Sequence, residues 1–124
     1  IIYENDGFVC FSPFAPRFPF EVWIVSKKHS SSFENTNDNE LWHLSELFKV
    51  LMQGMFSVLE QPDFNFIIHT APLRQTNLDY FHWHIEIMPK LTKVAGFEWG
   101  TGFFINEISP ENSAAALREA IYQL

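Results

Sequence analysis

Apolar residues recur at helical spacing over one long stretch of the chain, from Asp38 to Leu59. The spacings are three and four residues, which places the apolar side chains on one face of a helix. Thr36 to Asp38 offers N-cap residues, and Gln61-Pro62 is expected to end the helix. The stretch therefore predicts one main amphipathic helix. Its apolar stripe consists of Leu41, Leu44, Leu47, Phe48, Leu51, Met55, Phe56 and Leu59.

Strand-forming residues occupy several of the other stretches. Ile1 to Phe11 is apolar on both sides of the turn signal Asn5-Asp6-Gly7, which predicts a hairpin. Three prolines exclude regular strand pairing from Ser12 to Phe20, so this segment is expected to be a loop. Further strands are predicted at Glu21–Val25, Phe64–Thr70, Phe81–Pro89 and, as a short one, Gly102–Glu107.

The last part of the chain predicts a second helix. Ser109 supplies a capping hydroxyl, Pro110 suits the first helical position, and the pattern continues to Leu124. The order of elements predicts an α+β fold, in which a mostly antiparallel sheet packs against one long helix and a C-terminal helix. With 124 residues the chain has room for a single domain, residues 1–124.

Composition and charge narrow the classes of protein that fit. The chain is 47% hydrophobic and 17% aromatic, which excludes a disordered protein. Eight basic against fifteen acidic residues give a net charge of −7, so a nucleic-acid partner is not expected. No apolar run approaches the roughly 20 residues that cross a bilayer, so a membrane partner is not expected either. The single cysteine, Cys10, excludes an internal disulfide and favours a cytoplasmic location.

Candidate chemistry is concentrated in the segment His82-Trp83-His84-Ile85-Glu86. Side chains alternate along a strand, so His82, His84 and Glu86 are expected on one face of the sheet. If the preceding predicted strand pairs with this one, His69 joins them. Three imidazoles suit zinc or iron, with a fourth position for a carboxylate or water. The alternative is that these histidines are ordinary hydrogen-bonded residues of the sheet.

The same residues resemble a known superfamily. The chain is similar to the histidine triad nucleotide hydrolases and transferases. The similarity lies in Lys27-Lys28-His29 after a strand, a following helix, Phe64-Asn65, and the pattern His82-x-His84-x-Glu86-x-x-Pro89-Lys90. The residues around His69-Thr70-Ala71-Pro72 and the segment 96–102 more narrowly resemble the C-terminal half of galactose-1-phosphate uridylyltransferases and nucleotide-sugar phosphorylases. The resemblance implies a histidine-triad-like fold for nearly the whole chain. The absence of an initiator methionine also leads us to expect a longer polypeptide.

The family resemblance implies a two-half enzyme of galactose metabolism. Such an enzyme exchanges a nucleoside monophosphate between a nucleotide sugar and a hexose 1-phosphate. Its nucleophilic histidine lies in a His-Pro-His-x-Gln motif of the N-terminal half, and no such motif occurs here. The implied partner of this chain is therefore the N-terminal half of the same enzyme. The isolated domain is expected to be inactive.

The residue two positions after His84 bears on whether His84 could be a catalytic nucleophile. Histidine triad enzymes have a hydrogen-bond donor there, whereas this chain has Glu86. A carboxylate about 4 Å from a phosphate, at an effective dielectric near 20, repels it by about 4 kcal/mol, which argues against His84 as a nucleophile. An autonomous histidine triad hydrolase with His84 as the catalytic residue remains the second hypothesis. A metal-binding module without enzymatic activity is the third.

The resemblance also implies roles for individual residues. Histidines at the places of His69, His82 and His84 hold a structural metal, together with a glutamate from the other half. The glycine-rich segment 96–102 contributes to the sugar-phosphate pocket, commonly across a homodimer interface. The matching positions are Phe97, Trp99, Thr101 and Gly102.

Overall fold

A five-stranded antiparallel sheet forms the frame of the described part of the chain. The computed structural model describes residues 1–60, 62–71, 82–90 and 108–123. The strand order is β1-β2-β3-β5-β4, and every neighbouring pair is antiparallel. The strands are β1 (Tyr3–Glu4), β2 (Phe8–Phe11), β3 (Val22–Ser26), β4 (Phe64–His69) and β5 (His84–Pro89). The predicted strand Gly102–Glu107 lies outside the described residues.

The predicted N-terminal hairpin is confirmed. Strands β1 and β2 pair antiparallel, and the Asn5 side-chain oxygen accepts hydrogen bonds from the backbone of Gly7 and Phe8 across the turn. The Asn5 amide also donates to the backbone carbonyl of His43 and to Glu46, on the long helix. Asn5 therefore both shapes the turn and ties the hairpin to the helix.

Both predicted helices are present. Helix α1 spans Asp38–Leu59, as predicted, with Asn37 as its N-cap and Glu60 in the left-handed conformation at its end (φ 58°). Helix α2 spans Pro110–Tyr122, and the Ser109 hydroxyl accepts from the backbone of Asn112. A short 3₁₀ helix, Phe33–Asn35, precedes α1. Among the described residues, no helix is long and apolar enough to cross a membrane.

The core lies between one face of the sheet and the two helices. Inward residues of β2, β3 and β5 pack against α1 and α2. The predicted apolar stripe of α1 is wrong at Leu41 and Phe56, which are 39% and 37% exposed because they lie at the margins of the packed face. Met52 and Gly54, outside the predicted stripe, are buried instead. Burial raises the pKa of the Cys10 thiol to about 12, so Cys10 packs as a small neutral side chain.

The bounds of three predicted strands differ from the structure. Strand β3 begins at Val22 rather than Glu21 and includes Ser26. Strand β4 ends at His69, and the hydroxyl of the following Thr70 accepts from the backbone of Phe33. Strand β5 begins at His84, because the backbone N–H of Trp83 donates to the Ser30 carbonyl rather than to a strand partner. His82 therefore lies before the strand that was predicted to contain it.

Candidate functional site

Two of the predicted histidines meet on neighbouring strands. His69, the last residue of β4, lies directly opposite His84, the first residue of β5. Their rings are stacked, with centroids 4.7 Å apart and planes 15° from parallel. Strand alternation places Glu86 on the same face as His84, so the two imidazoles and a carboxylate form one cluster.

The Glu86 carboxylate connects the members of this cluster. Its Oε2 contacts Nε2 of His69 and lies 3.2 Å from Nε2 of His84. Its Oε1 lies 3.3 Å from the Arg17 guanidinium, which reaches over from the proline-rich loop. The Glu86 side chain is only 7% exposed, and a buried carboxylate needs such partners to offset its lost hydration. Arg17, which the sequence analysis did not single out, is therefore part of the site.

A tryptophan forms one wall of the cluster. The Trp23 ring stacks on His84, with centroids 4.6 Å apart, on the side opposite to His69. The Trp23 indole N–H donates to Glu21, which is buried and also accepts from the backbone of Arg17. Trp23 was predicted only as part of a strand, since nothing in the local sequence indicates which ring it contacts.

The third predicted histidine, His82, has different partners. Its Nε2 lies 3.0 Å from the Ser26 hydroxyl, and its ring meets the His29 ring edge-on at 5.3 Å. Burial lowers the pKa of His82, and the positive charge of a protonated His29 lowers it further. Both effects favour the neutral imidazole. The structure therefore brings His69 and His84 together and leaves the His82 ring beside Ser26 and His29.

A serine-rich segment holds the ends of the two histidine-bearing strands. The Ser30 carbonyl accepts from the backbone of Trp83, just before β5, and the Ser31 carbonyl accepts from Ala71, just after β4. Ser31 and Ser32 are buried. These bonds use main-chain carbonyls, which every residue carries, so the sequence contains no signal for them.

The cluster has the donors that a divalent transition metal prefers. The ligand atoms of His69, His84 and Glu86 lie within 4.8 Å of one another. His69 Nε2 is buried, has no hydrogen-bond partner among the described residues and lies against the Glu86 carboxylate. Two imidazoles and a carboxylate suit zinc or iron. The cluster therefore fits a metal, with two of the three predicted histidines and with Glu86.

Four residues were predicted to contribute to a sugar-phosphate pocket. Phe97, Trp99, Thr101 and Gly102 lie outside the described residues. Their role, and the metal role of His69, His82 and His84, remain predictions.

Comparisons with known proteins support the resemblance to galactose-1-phosphate uridylyltransferases and nucleotide-sugar phosphorylases. The family model described as a domain of unknown function (DUF4921) matches residues 1–124. ADP-glucose phosphorylase of Arabidopsis thaliana is 43% identical over 121 residues, which are 96% of this chain and 34% of that protein. Its crystal structure with bound ADP-glucose superimposes with a TM-score of 0.90 and covers 95% of this chain and 39% of the crystallised one.

One further relative and one solved structure of similar fold extend the comparison. Galactose-1-phosphate uridylyltransferase of Thermotoga maritima is 32% identical over 126 residues, 95% of this chain and 40% of that protein. A zinc-bound histidine triad family protein from Mycobacterium smegmatis superimposes with a TM-score of 0.69 at 18% identity, covering 98% of this chain and 83% of that one. The α+β, histidine-triad-like fold is thereby confirmed. The chain spans well under half the length of the two larger relatives.

Proposed function

The chain belongs to the DUF4921 family over its whole length, and from that premise we propose that it is one domain of a nucleotide-sugar-dependent nucleotidyltransferase. The proposed reaction moves a nucleoside monophosphate between a nucleotide sugar and a hexose 1-phosphate or phosphate. The two larger relatives are named for reactions of this class, and both match at least 95% of the chain. The higher identity to ADP-glucose phosphorylase supports an adenine nucleotide sugar as the first donor to test.

The chain is proposed as the C-terminal half of this enzyme. It lacks a His-Pro-His-x-Gln motif, so the nucleophilic histidine is assigned to an N-terminal half. Coverage of only 34% and 40% of the relatives leaves ample length for such a partner. A homodimer and a sugar-phosphate role for Phe97, Trp99, Thr101 and Gly102 belong to the same proposal.

The observation that carries this assignment is the contact between His84 and Glu86. A nucleophilic imidazole needs its attacking nitrogen free to approach phosphorus. Here His84 Nε2 lies 3.2 Å from a buried carboxylate that also pairs with Arg17. A phosphate entering at His84 would meet that negative charge. The arrangement therefore favours His84 as a metal ligand rather than as a nucleophile.

We assign the cluster a metal, zinc or iron, held by His69 and His84 with Glu86. The two imidazoles and the carboxylate supply two nitrogens and one oxygen, and a further ligand from the other half completes the set. A bound ion would cross-link β4 and β5 and offset the negative charge of Glu86. His82, as a third nitrogen ligand, stays part of the proposal.

The activity is tested on two samples, the longer protein that contains this chain and the 124-residue chain alone. Each is incubated with ADP-glucose plus inorganic phosphate, and separately with UDP-glucose plus galactose 1-phosphate. We expect the longer protein to exchange the nucleotidyl group with at least one pair, and the chain alone to form no product. Products are separated and quantified by anion-exchange chromatography.

A histidine triad hydrolase gives a different result in the same assay. The chain alone would then release nucleoside monophosphate, and His84→Ala would abolish that release. Such release, or the absence of exchange by the longer protein with both pairs, would contradict the proposed function.

A further inference from the structure

Ser26 occupies a position where the fold calls for an apolar residue. It is the last residue of β3 and follows the inward positions Val22 and Ile24, which are fully buried and hydrophobic. Ser26 itself is 3% exposed. A buried hydroxyl costs free energy unless it is hydrogen-bonded, so its partners are informative.

Both partners of the Ser26 hydroxyl lie at hydrogen-bond distance. Its Oγ is 2.7 Å from the Lys28 carbonyl oxygen and 3.0 Å from Nε2 of His82. A hydroxyl carries a single proton, and a carbonyl oxygen can only accept. The proton of Ser26 is therefore donated to Lys28, and a lone pair of Ser26 accepts from His82. For this contact, His82 must carry a proton on Nε2.

The protonation of Nε2 decides what the other ring nitrogen can do. A histidine binds a metal as neutral imidazole, which carries only one ring proton. With that proton on Nε2, Nδ1 of His82 has a free lone pair. A ligating histidine whose other nitrogen donates to a fixed acceptor is held in one tautomer and orientation.

We propose that Ser26 is a positioning residue, which holds His82 in the Nε2–H tautomer and makes Nδ1 the nitrogen that binds a metal. The metal part of this inference rests on the proposed function, whereas the tautomer does not. Neither ring nitrogen of His82 belongs to the group of ligand atoms that His69, His84 and Glu86 form.

Long-range ¹H–¹⁵N correlation spectra of the metal-free, ¹⁵N-labelled chain at neutral pH test the tautomer directly. We expect Nε2 of His82 to be the protonated nitrogen in the wild type. Ser26→Ala is expected to produce a mixture of tautomers, because the fixed acceptor is lost. Ser26→Thr keeps the hydroxyl and is expected to restore the wild-type pattern. Ser45→Ala is the control, since the exposed Ser45 hydroxyl donates to the Leu41 carbonyl within its own helix.

Zinc ion alone is then added to the same samples. Binding is expected to shift His82 Nδ1, and Ser26→Ala is expected to weaken zinc binding by about 10- to 100-fold, as is usual when the hydrogen-bond partner of a ligand is removed. A proton on Nδ1 in the wild type overturns the inference even if Ser26→Ala does not fold, and so does an unchanged tautomer in a folded variant. If the tautomer behaves as expected but no histidine responds to zinc, the proposed metal site fails and the role of Ser26 as the anchor of the tautomer stands.

Discussion

At the scale of single residues, Glu86 decides how the site is interpreted. Its position, two residues after His84, was visible in the sequence as a departure from the histidine triad pattern. The structure adds the partners: one carboxylate oxygen faces both imidazoles and the other faces Arg17. Because a buried carboxylate binds cations and repels phosphates, these contacts favour a metal-binding role for both histidines.

Substitution of either clustered histidine is expected to remove metal binding. His69→Ala or His84→Ala deletes one of three ligands. Loss of a residue that hydrogen-bonds to a ligand typically lowers metal affinity by about 10- to 100-fold. Loss of the ligand itself should therefore lower zinc affinity by more than about 100-fold. Isothermal titration calorimetry measures the affinities, and metal analysis measures the content. The affinity should also fall at acidic pH, because imidazole must be neutral to bind.

His43→Ala is the matched control for these variants. His43 lies on α1, and its ring packs against Gly7 rather than against the cluster. It should bind zinc like the wild type. If the wild type, His69→Ala, His84→Ala and His43→Ala bind zinc with equal affinity, His69 and His84 are not zinc ligands.

At the scale of elements, helix α1 was the best-predicted part of the chain. Its bounds and cap follow from local spacing and from the Asn37 side chain, which accepts from Glu40. The buried face was less well predicted, because α2 packs on the C-terminal part of α1 at a glycine. A glycine within a helix is unfavourable by itself, and here close contact with α2 explains its presence.

Gly54→Leu is expected to destabilise the protein. A Cβ at this position would lie 2.7 Å from Cγ1 of Ile121. Overpacking of this kind typically costs about 1–3 kcal/mol of unfolding free energy, which urea denaturation measures. Gln53→Leu adds the same side chain at the neighbouring exposed position and should change stability much less.

A second substitution shows whether the cost arises at the helix contact. Ile121→Ala should be less harmful in the Gly54→Leu background than in the wild type, because it makes room for the leucine. Strict additivity of the two changes, or a Gly54→Leu protein as stable as the wild type, would refute the close contact.

At the scale of the whole molecule, the sheet presents one apolar edge. Strand β4 is the outermost strand among the described residues, and Phe66, Ile67 and Ile68 are 52%, 43% and 37% exposed. Beside it lies a groove of about 380 Å³. The groove is lined by Phe33, Leu44, Ser45, Phe48, Lys49, Phe66, Ile68 and Ile85. Such a surface is typical of an interface, and the proposed N-terminal half is its expected partner.

The isolated chain is therefore expected to self-associate through β4. Sedimentation velocity over a range of concentrations should show association for the wild type and its loss in Phe66→Lys, which places a charge on the edge. Tyr122→Lys replaces an aromatic residue that is 84% exposed on α2 and should behave like the wild type. In the longer protein, the β4 amides should be protected from hydrogen exchange. A monomeric wild-type chain together with unprotected β4 amides would contradict this role.

The sequence by itself determined the local elements and the types of residue that carry chemistry. These local features depend on residues only a few positions apart, so the spacing of residues in the sequence is enough to predict them. They are helix α1, the Asn5 turn, the Ser109 cap and the His-x-His-x-Glu pattern. Only the tertiary structure decided which of these groups meet. The Arg17–Glu86 pair joins residues 69 positions apart and the Ser26–His82 contact joins residues 56 apart. Such contacts depend on strand register and on where each strand begins, and these are set by the packing of the whole chain.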